Sequence, residues 1–146
     1  MRFKSFDTNI LLYSLNVDCA EHNICSELVK TSMKEQGEWI IADQVWFELY
    51  RLMRSSAVLK KPLTGKEAAE AISWYRYKTG WLHCAWDIKF MSQLDAVWNS
   101  NSFPVSRSFD LILAVTLKNY GVKTLYTRNT KDFDKMKYFE LVNPLK

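Results

Sequence analysis

Short apolar runs alternate with longer stretches of helical periodicity along the chain. That alternation predicts an α/β fold with a parallel sheet. The predicted strands are Arg2–Phe6, Glu38–Ala42, Leu82–Trp86, Lys123–Thr127 and Phe139–Val142, each short and mostly bounded by polar or turn residues. Between them the pattern predicts helices. Asp18 with Glu21 has capping-box spacing at the start of a helix running to about Lys34, and Thr64 with Glu67 repeats the device. Asp43–Val58 reads as another helix. The turn Lys60–Gly65 joins it to a second running through about Tyr77, so the two form a helical hairpin. Ser106–Tyr120 reads as a helix stopped by Gly121. With no repeat, low-complexity tract or Gly/Ser linker, a single domain over residues 1–146 is expected.

Composition narrows the class without naming a function. A chain of 146 residues with 48% hydrophobic content can bury a continuous core. Three cysteines, Cys19, Cys25 and Cys84, are an odd number, which argues against a disulfide framework and for a reducing cytoplasm. No apolar run approaches the ~20 residues that cross a bilayer, and Met1-Arg2-Phe3-Lys4 leads into a strand pattern rather than a leader. The net charge of +4 survives 16 acidic residues, so any carboxylate cluster is outweighed by basic surface elsewhere and nucleic acid is a permitted partner. The six tryptophans suit base stacking, but core and interface packing is their commoner use.

Four acidic residues carry the candidate chemistry. Asp7 ends the first predicted strand, at the carboxyl edge where open α/β sheets build their sites; the competing reading is a cap for a helix starting near Asn9. Glu48 lies among large apolar side chains in Trp46-Phe47-Glu48-Leu49-Tyr50 and needs a cation, a water-lined pocket, or a partner such as Arg51 or Arg54. Asp110 opens the apolar helix Phe109–Val115, where the helix dipole offers only about 0.3–1 kcal/mol, so something cationic should meet it. Asp132 follows the fourth strand in the polar loop Thr127–Asp134 and reads equally as a turn residue. Converging without counter-ions, four carboxylates repel one another. Hard divalent cations such as Mg²⁺ or Mn²⁺ relieve that repulsion, prefer oxygen ligands, and support in-line phosphodiester cleavage.

The segments Asp7-Thr8-Asn9-Ile10-Leu11-Leu12-Tyr13, Glu48 in its helix, Phe109–Ala114, and Gly121 through Thr127-Arg128-Asn129-Thr130-Lys131-Asp132-Phe133 to Asn143-Pro144 resemble the successive motifs of PIN-domain nucleases. In order and spacing they resemble the toxin subunits of VapBC-type toxin–antitoxin pairs. The resemblance spans essentially the whole chain. It implies a three-layer α/β/α fold whose central five-stranded parallel sheet has the order 3-2-1-4-5. It also implies Mg²⁺- or Mn²⁺-dependent endoribonuclease activity on RNA, homodimerisation, and inhibition by a small antitoxin protein. Carried over by position, Asp7, Glu48 and Asp110 match the family's metal-binding acids, and Thr8, Thr127 and Asn129 match polar residues of the same pocket. The family's fourth acid stands at the position of Asn129 or of Asp132. Here the first is an amide, so Asp132 is taken as the carboxylate and Asn129 as a water-holding neighbour.

Two rival readings remain. A phosphatase of the haloacid-dehalogenase kind also begins with an Asp after strand one, but wants a second Asp where Asn9 stands. A PIN fold without catalysis would serve as an RNA- or protein-binding module. Other polar features read as structural. Cys19, His22 and Cys25 share one short helix without a fourth ligand, and His83 lies in a strand. Arg51, Arg54, Lys60, Lys61 and Lys66 read as a solvated face, and Asp87 and Asp95 as cap or surface acids.

Overall fold

A computed structural model describes residues 2–100, 102–104 and 107–146; of the segments read above, Met1 and Ser106 lie outside these. Five strands alternate with helices: β1 Phe3–Phe6, β2 Ile40–Ala42, β3 Leu82–Cys84, β4 Val122–Tyr126 and β5 Glu140–Val142. The helices are α1 Thr8–Leu15, α2 His22–Lys34, α3 Asp43–Met53, α4 Gly65–Lys78, α5 Met91–Trp98 and α6 Ser108–Asn119. All ladder pairings are parallel, as the α/β alternation requires.

The ladder is not the continuous five-stranded sheet expected. β1, β4 and β5 form one sheet in the order β1-β4-β5, and β2 pairs with β3 in a second. A single parallel bridge, Lys4 with Trp39, joins the two, with Lys4 N–H donating to the Glu38 carbonyl at 2.8 Å. Trp39 provides the physical reason, because its indole lies against Phe6 at a centroid separation of 4.3 Å and packing takes over where the ladder stops. The rings continue as a column: Trp46, Tyr75, Trp81, Phe6, Trp39 and Tyr126 follow one another at 4.3–6.1 Å. Trp39, Trp46 and Trp81 are therefore core residues, whereas Trp74 and Trp98 are half exposed.

Local signals explain where elements begin and stop. Thr64 and Glu67 form the full reciprocal capping box at α4. The box expected from Asp18 and Glu21 is absent. Glu21 sits in helical backbone conformation and caps nothing, and the entry to α2 is satisfied by consecutive turns, Cys19 N–H to Asn16 O and His22 N–H to Cys19 O. α3 ends at Met53 rather than Val58. Ser55 turns the chain, its hydroxyl accepting from Ala57 N–H and its carbonyl from Val58 and Leu59 N–H. Gly121, at φ +86°, follows α6 and places its missing side chain 3.5 Å from the Phe3 ring. No helix among the described residues is long and apolar enough to cross a membrane.

The two capping-box sequences should separate in a urea titration. Thr64→Ala is expected to cost about 1 kcal/mol, whereas Asp18→Ala should stay within about 0.5 kcal/mol of wild type. Equal losses would contradict the assignment of the caps.

Candidate active site: an acidic cleft at the carboxyl edge of the sheet

Parallel register builds the first part of the site. Phe6, Tyr126 and Val142 are aligned at the carboxyl ends of β1, β4 and β5, so the residues that follow them meet. Asp7 N–H donates to the Tyr126 carbonyl at 2.9 Å, and Thr127 N–H to that of Val142 at 3.0 Å. The same step brings the side chains together, with the Thr127 hydroxyl donating to Asp7 Oδ2 at 2.9 Å. Asp7 also accepts from Thr8 N–H at 2.8 Å, so it caps α1 as well as facing the cleft: the two readings of Asp7 hold together. The Asn9 amide lies 3.4 Å from Asp7 Oδ2, and its carbonyl oxygen accepts from Arg128 N–H.

Helices supply the other acids. Glu48 projects from α3 to the Thr8 hydroxyl, which donates to Oε2 at 2.7 Å, while the Gln44 amide donates to Oε1 at 3.1 Å. Arg51 and Arg54, the partners considered from sequence, do not pair with it; Arg54 instead donates to the Tyr50 hydroxyl. Asp110 stands in the first turn of α6. Asp132, in a short 3-10 turn after β4, forms an ion pair with Arg107 Nε at 3.4 Å, and Arg107 also donates to the Lys131 carbonyl. Asn129 is exposed, its N–H donating to the Thr127 hydroxyl at 3.0 Å.

The acids feel one another's charge. Burial pushes the Asp7 carboxyl up to about 6, against the hydrogen bonds from Thr127 and Thr8, with the charges of Glu48 and Asp132 adding to the rise. Asp110 is pushed up to about 7, first by burial, then by the negative charges of Asp7, Asp132 and Glu48; Arg107 pulls the other way. Among the described residues no basic side chain forms an ion pair with Asp7, Glu48 or Asp110. The cation expected to meet Asp110 is thus present only at a distance, as Arg107, which is paired to Asp132.

Close convergence on one point is not formed by the side chains as they stand. Among the described residues no three His, Cys, Asp or Glu side chains are grouped tightly enough to hold one ion. Glu48 is held by Thr8 and Gln44, and Asp132 is turned to Arg107, which keeps like charges apart. The donor set nevertheless suits a hard divalent cation: carboxylates and hydroxyls only, two of the carboxyls driven up by burial and mutual repulsion. The sulfur and imidazole groups lie elsewhere. Cys19 and His22 bond to backbone carbonyls of Asn16 and Tyr13, and His83 to that of Arg76. Asp87 is a cap, accepting from Lys89 N–H, and Asp95 is exposed.

Sequence reasoning overlooked Arg107 and Gln44. Gln44 left a signal in helical spacing, four residues before Glu48 on α3, which puts it beside its acid; Arg107 left none, because its partner is Asp132, twenty-five residues later.

Raised carboxyl pKa values make a linkage prediction. In the unfolded chain Asp110 titrates near 3.8 and in the fold near 7, so between those values the folded state holds the extra proton and stability falls as pH rises. In excess chelator, Asp110→Asn is expected to be more stable than wild type at pH 8, by on the order of 1–3 kcal/mol. The two should match near pH 3. A variant no more stable than wild type at pH 8 in urea denaturation would contradict the electrostatic account.

No protein-family profile matches the chain. Comparison with individual proteins is more informative. The chain is 32% identical over 144 residues to ribonuclease VapC24 of Mycobacterium tuberculosis, covering 97% of this chain and 96% of that protein. Among solved structures it is similar to VapBC2 from Rickettsia felis bound to a DNA fragment from its promoter (TM-score 0.68, 17% identity, 97% and 98% of the two chains). It is also similar to VapC20 of Mycobacterium tuberculosis, described as a Sarcin-Ricin loop cleaving toxin (TM-score 0.67, 15% identity, 90% and 94%). The structural likeness carries the fold. The end-to-end sequence identity carries the lineage, and by it this chain belongs to the VapC ribonuclease family.

Proposed function

We propose that this protein is an Mg²⁺- or Mn²⁺-dependent endoribonuclease, the toxin half of a toxin–antitoxin pair, with Asp7, Glu48, Asp110 and Asp132 as its catalytic acids. The observation that supports this reading is electrostatic: Asp7 and Asp110 are pushed up by burial and by the charges of the other acids, and among the described residues Asp7, Glu48 and Asp110 have no paired cation. A structural role would have supplied counter-charges or replaced the acids by amides. Family membership gives the reaction class, and it disfavours both the phosphatase reading and the reading as a binding module without catalysis.

In this reading Asp7, Glu48 and Asp110 hold the ion and Asp132 completes the set. A bound divalent ion supplies positive charge that polarises a phosphoryl oxygen and makes water more acidic. The chain's own residues orient and prepare the site. Thr127 and Thr8 N–H fix the Asp7 carboxylate, and the Thr8 hydroxyl ties Glu48 to the same helix start, so two acids share one anchor. Asn129 borders the site on the exposed side. With carboxyls raised to about 6 and about 7, Asp7 and Asp110 hold protons that a cation would have to displace, so affinity for a divalent ion would rise with pH across that range. We further read residues 1–146 as one domain and the two sheets as one interrupted layer in the order 3-2-1-4-5, with the Lys4–Trp39 bridge as its seam. The VapBC structures among the neighbours support a small antitoxin as partner, and a homodimer and a cytoplasmic setting accompany the family reading.

Purified protein should cleave single-stranded RNA with Mg²⁺ or Mn²⁺ and stop in excess chelator. Asp7→Asn and Asp110→Asn should each lower the rate by more than about 100-fold, and Thr127→Val, which frees Asp7, by about 10–100-fold. Undiminished cleavage in chelator, or in both Asn variants, would overturn the assignment.

A further inference from the structure

Phe47 and Phe109 are 73% and 71% exposed, although each directly precedes an acid of the site, Glu48 on α3 and Asp110 on α6. Successive helical residues are offset by about 100°, so each helix presents its acid and, beside it, an aromatic ring. The two rings line a common cavity of about 350 Å³ whose remaining walls are Gln44, Glu48 and Arg51. A second cavity of about 230 Å³ is lined by the same two rings together with Trp86 and Ile112. Gln44 fixes this arrangement, its amide donating both to Glu48 Oε1 and to the Phe109 carbonyl at 2.9 Å, which ties the backbone of one ring to a catalytic carboxylate. Arg51 forms no ion pair among the described residues.

We propose that this cavity is a nucleobase subsite, in which Phe47 and Phe109 stack on a base flanking the cleaved phosphate and Arg51 meets the adjacent backbone phosphate. The inference rests on the ribonuclease reading above, and it names how that site takes a single strand. Stacking on exposed rings is tolerant of base identity and needs a cation nearby for the backbone, and both are here. A nucleotide is the occupant favoured over an apolar protein face. The cavity is continuous with Glu48, and a protein seated on it would bury Glu48 and Arg51, whereas RNA brings a phosphate to the arginine and leaves the carboxylate to the metal.

The experiment measures binding apart from turnover, using a short fluorescein-labelled single-stranded RNA of mixed sequence in the Asp7→Asn background. Phe47→Ala and Phe109→Ala should each weaken binding about tenfold or more; Phe109→Trp should restore it. The same strand made abasic should bind the parent and both alanine variants alike. Both rings are exposed, so the variants should fold, and circular dichroism checks this. Unchanged affinity in both alanine variants overturns the proposal. So does a loss of self-association in sedimentation with RNA affinity intact, which assigns the face to a second copy of the chain. Base-dependent binding by a protein that never cleaves would overturn the ribonuclease reading and leave the subsite standing. Metal-dependent cleavage with Phe-independent binding would do the reverse.

Discussion

Burying the Asp7 carboxylate is the constraint on which the rest of this structure turns. A charged group taken out of water costs several kcal/mol unless hydrogen bonds replace its hydration. Asp7 is buried, and the donors that replace water come from two places: Thr8 N–H and the Asn9 amide at the start of α1, and the Thr127 hydroxyl just after β4. The Thr127 donor exists only because β1 and β4 are parallel with Phe6 opposite Tyr126. Slipping that register by one residue would send the next side chain to the other face of the sheet and leave Asp7 without Thr127. Sheet register and site geometry are thus one requirement, met through a single hydroxyl that also accepts from Asn129 N–H and so orders the following loop.

Even with these donors, the acids repel. The rise at Asp7 and Asp110 is a destabilisation that the fold carries, and Arg107 offsets only part of it because it is already paired to Asp132. The fold offsets this through its buried core, whose larger cluster includes Phe6, Ile10, Leu11, Trp46 and Leu49, close in sequence to Asp7 and Glu48. The aromatic column from Trp46 to Tyr126 lies in this core, and its polar atoms are partly satisfied inside: Trp81 donates to Ser32 Oγ, and Tyr75 shares a hydrogen bond with Ser14. Mutually repelling carboxylates held at a cost in stability are expected more often at functional sites than elsewhere.

What could be read from the sequence follows from how local each determinant is. Thr64 with Glu67, and Gly121, act within one turn of their helix and were legible as they stand. The placement of Asp7 just after a strand and of Asp110 in a first helical turn was legible, because strand ends and helix starts gather at one edge of a parallel α/β chain. Asp18 with Glu21 has the same spacing as Thr64 with Glu67, yet the chain from Asn16 to His22 satisfies its backbone groups by turns, and spacing alone does not reveal that competition. α3 stops at Met53 for a similar reason, Ser55 capturing the groups that a longer helix would use. Arg51 and Arg54 do not pair with Glu48; its hydrogen bond comes from Thr8, forty residues earlier, which the motif resemblance puts in the same pocket but helical periodicity does not, because long-range hydrogen bonds of this kind leave no periodic trace.

The break between the two sheets gives that long-range bond its importance. Had β1 and β2 shared a full ladder, the backbone itself would fix α3, and hence Glu48, relative to Asp7. One bridge at Trp39 does not fix it. The relation between the two acids is instead set by ring packing of Trp39 on Phe6 and by side-chain hydrogen bonds: Thr8 to Glu48 on one side, Gln44 to the α6 backbone on the other. Side-chain contacts can shift by rotamer changes that a strand ladder would forbid. The hydrogen bonds that hold Glu48 and the ion pair that holds Asp132 are contacts of this kind, so rotamer changes can alter the spacing of the acids without breaking either sheet.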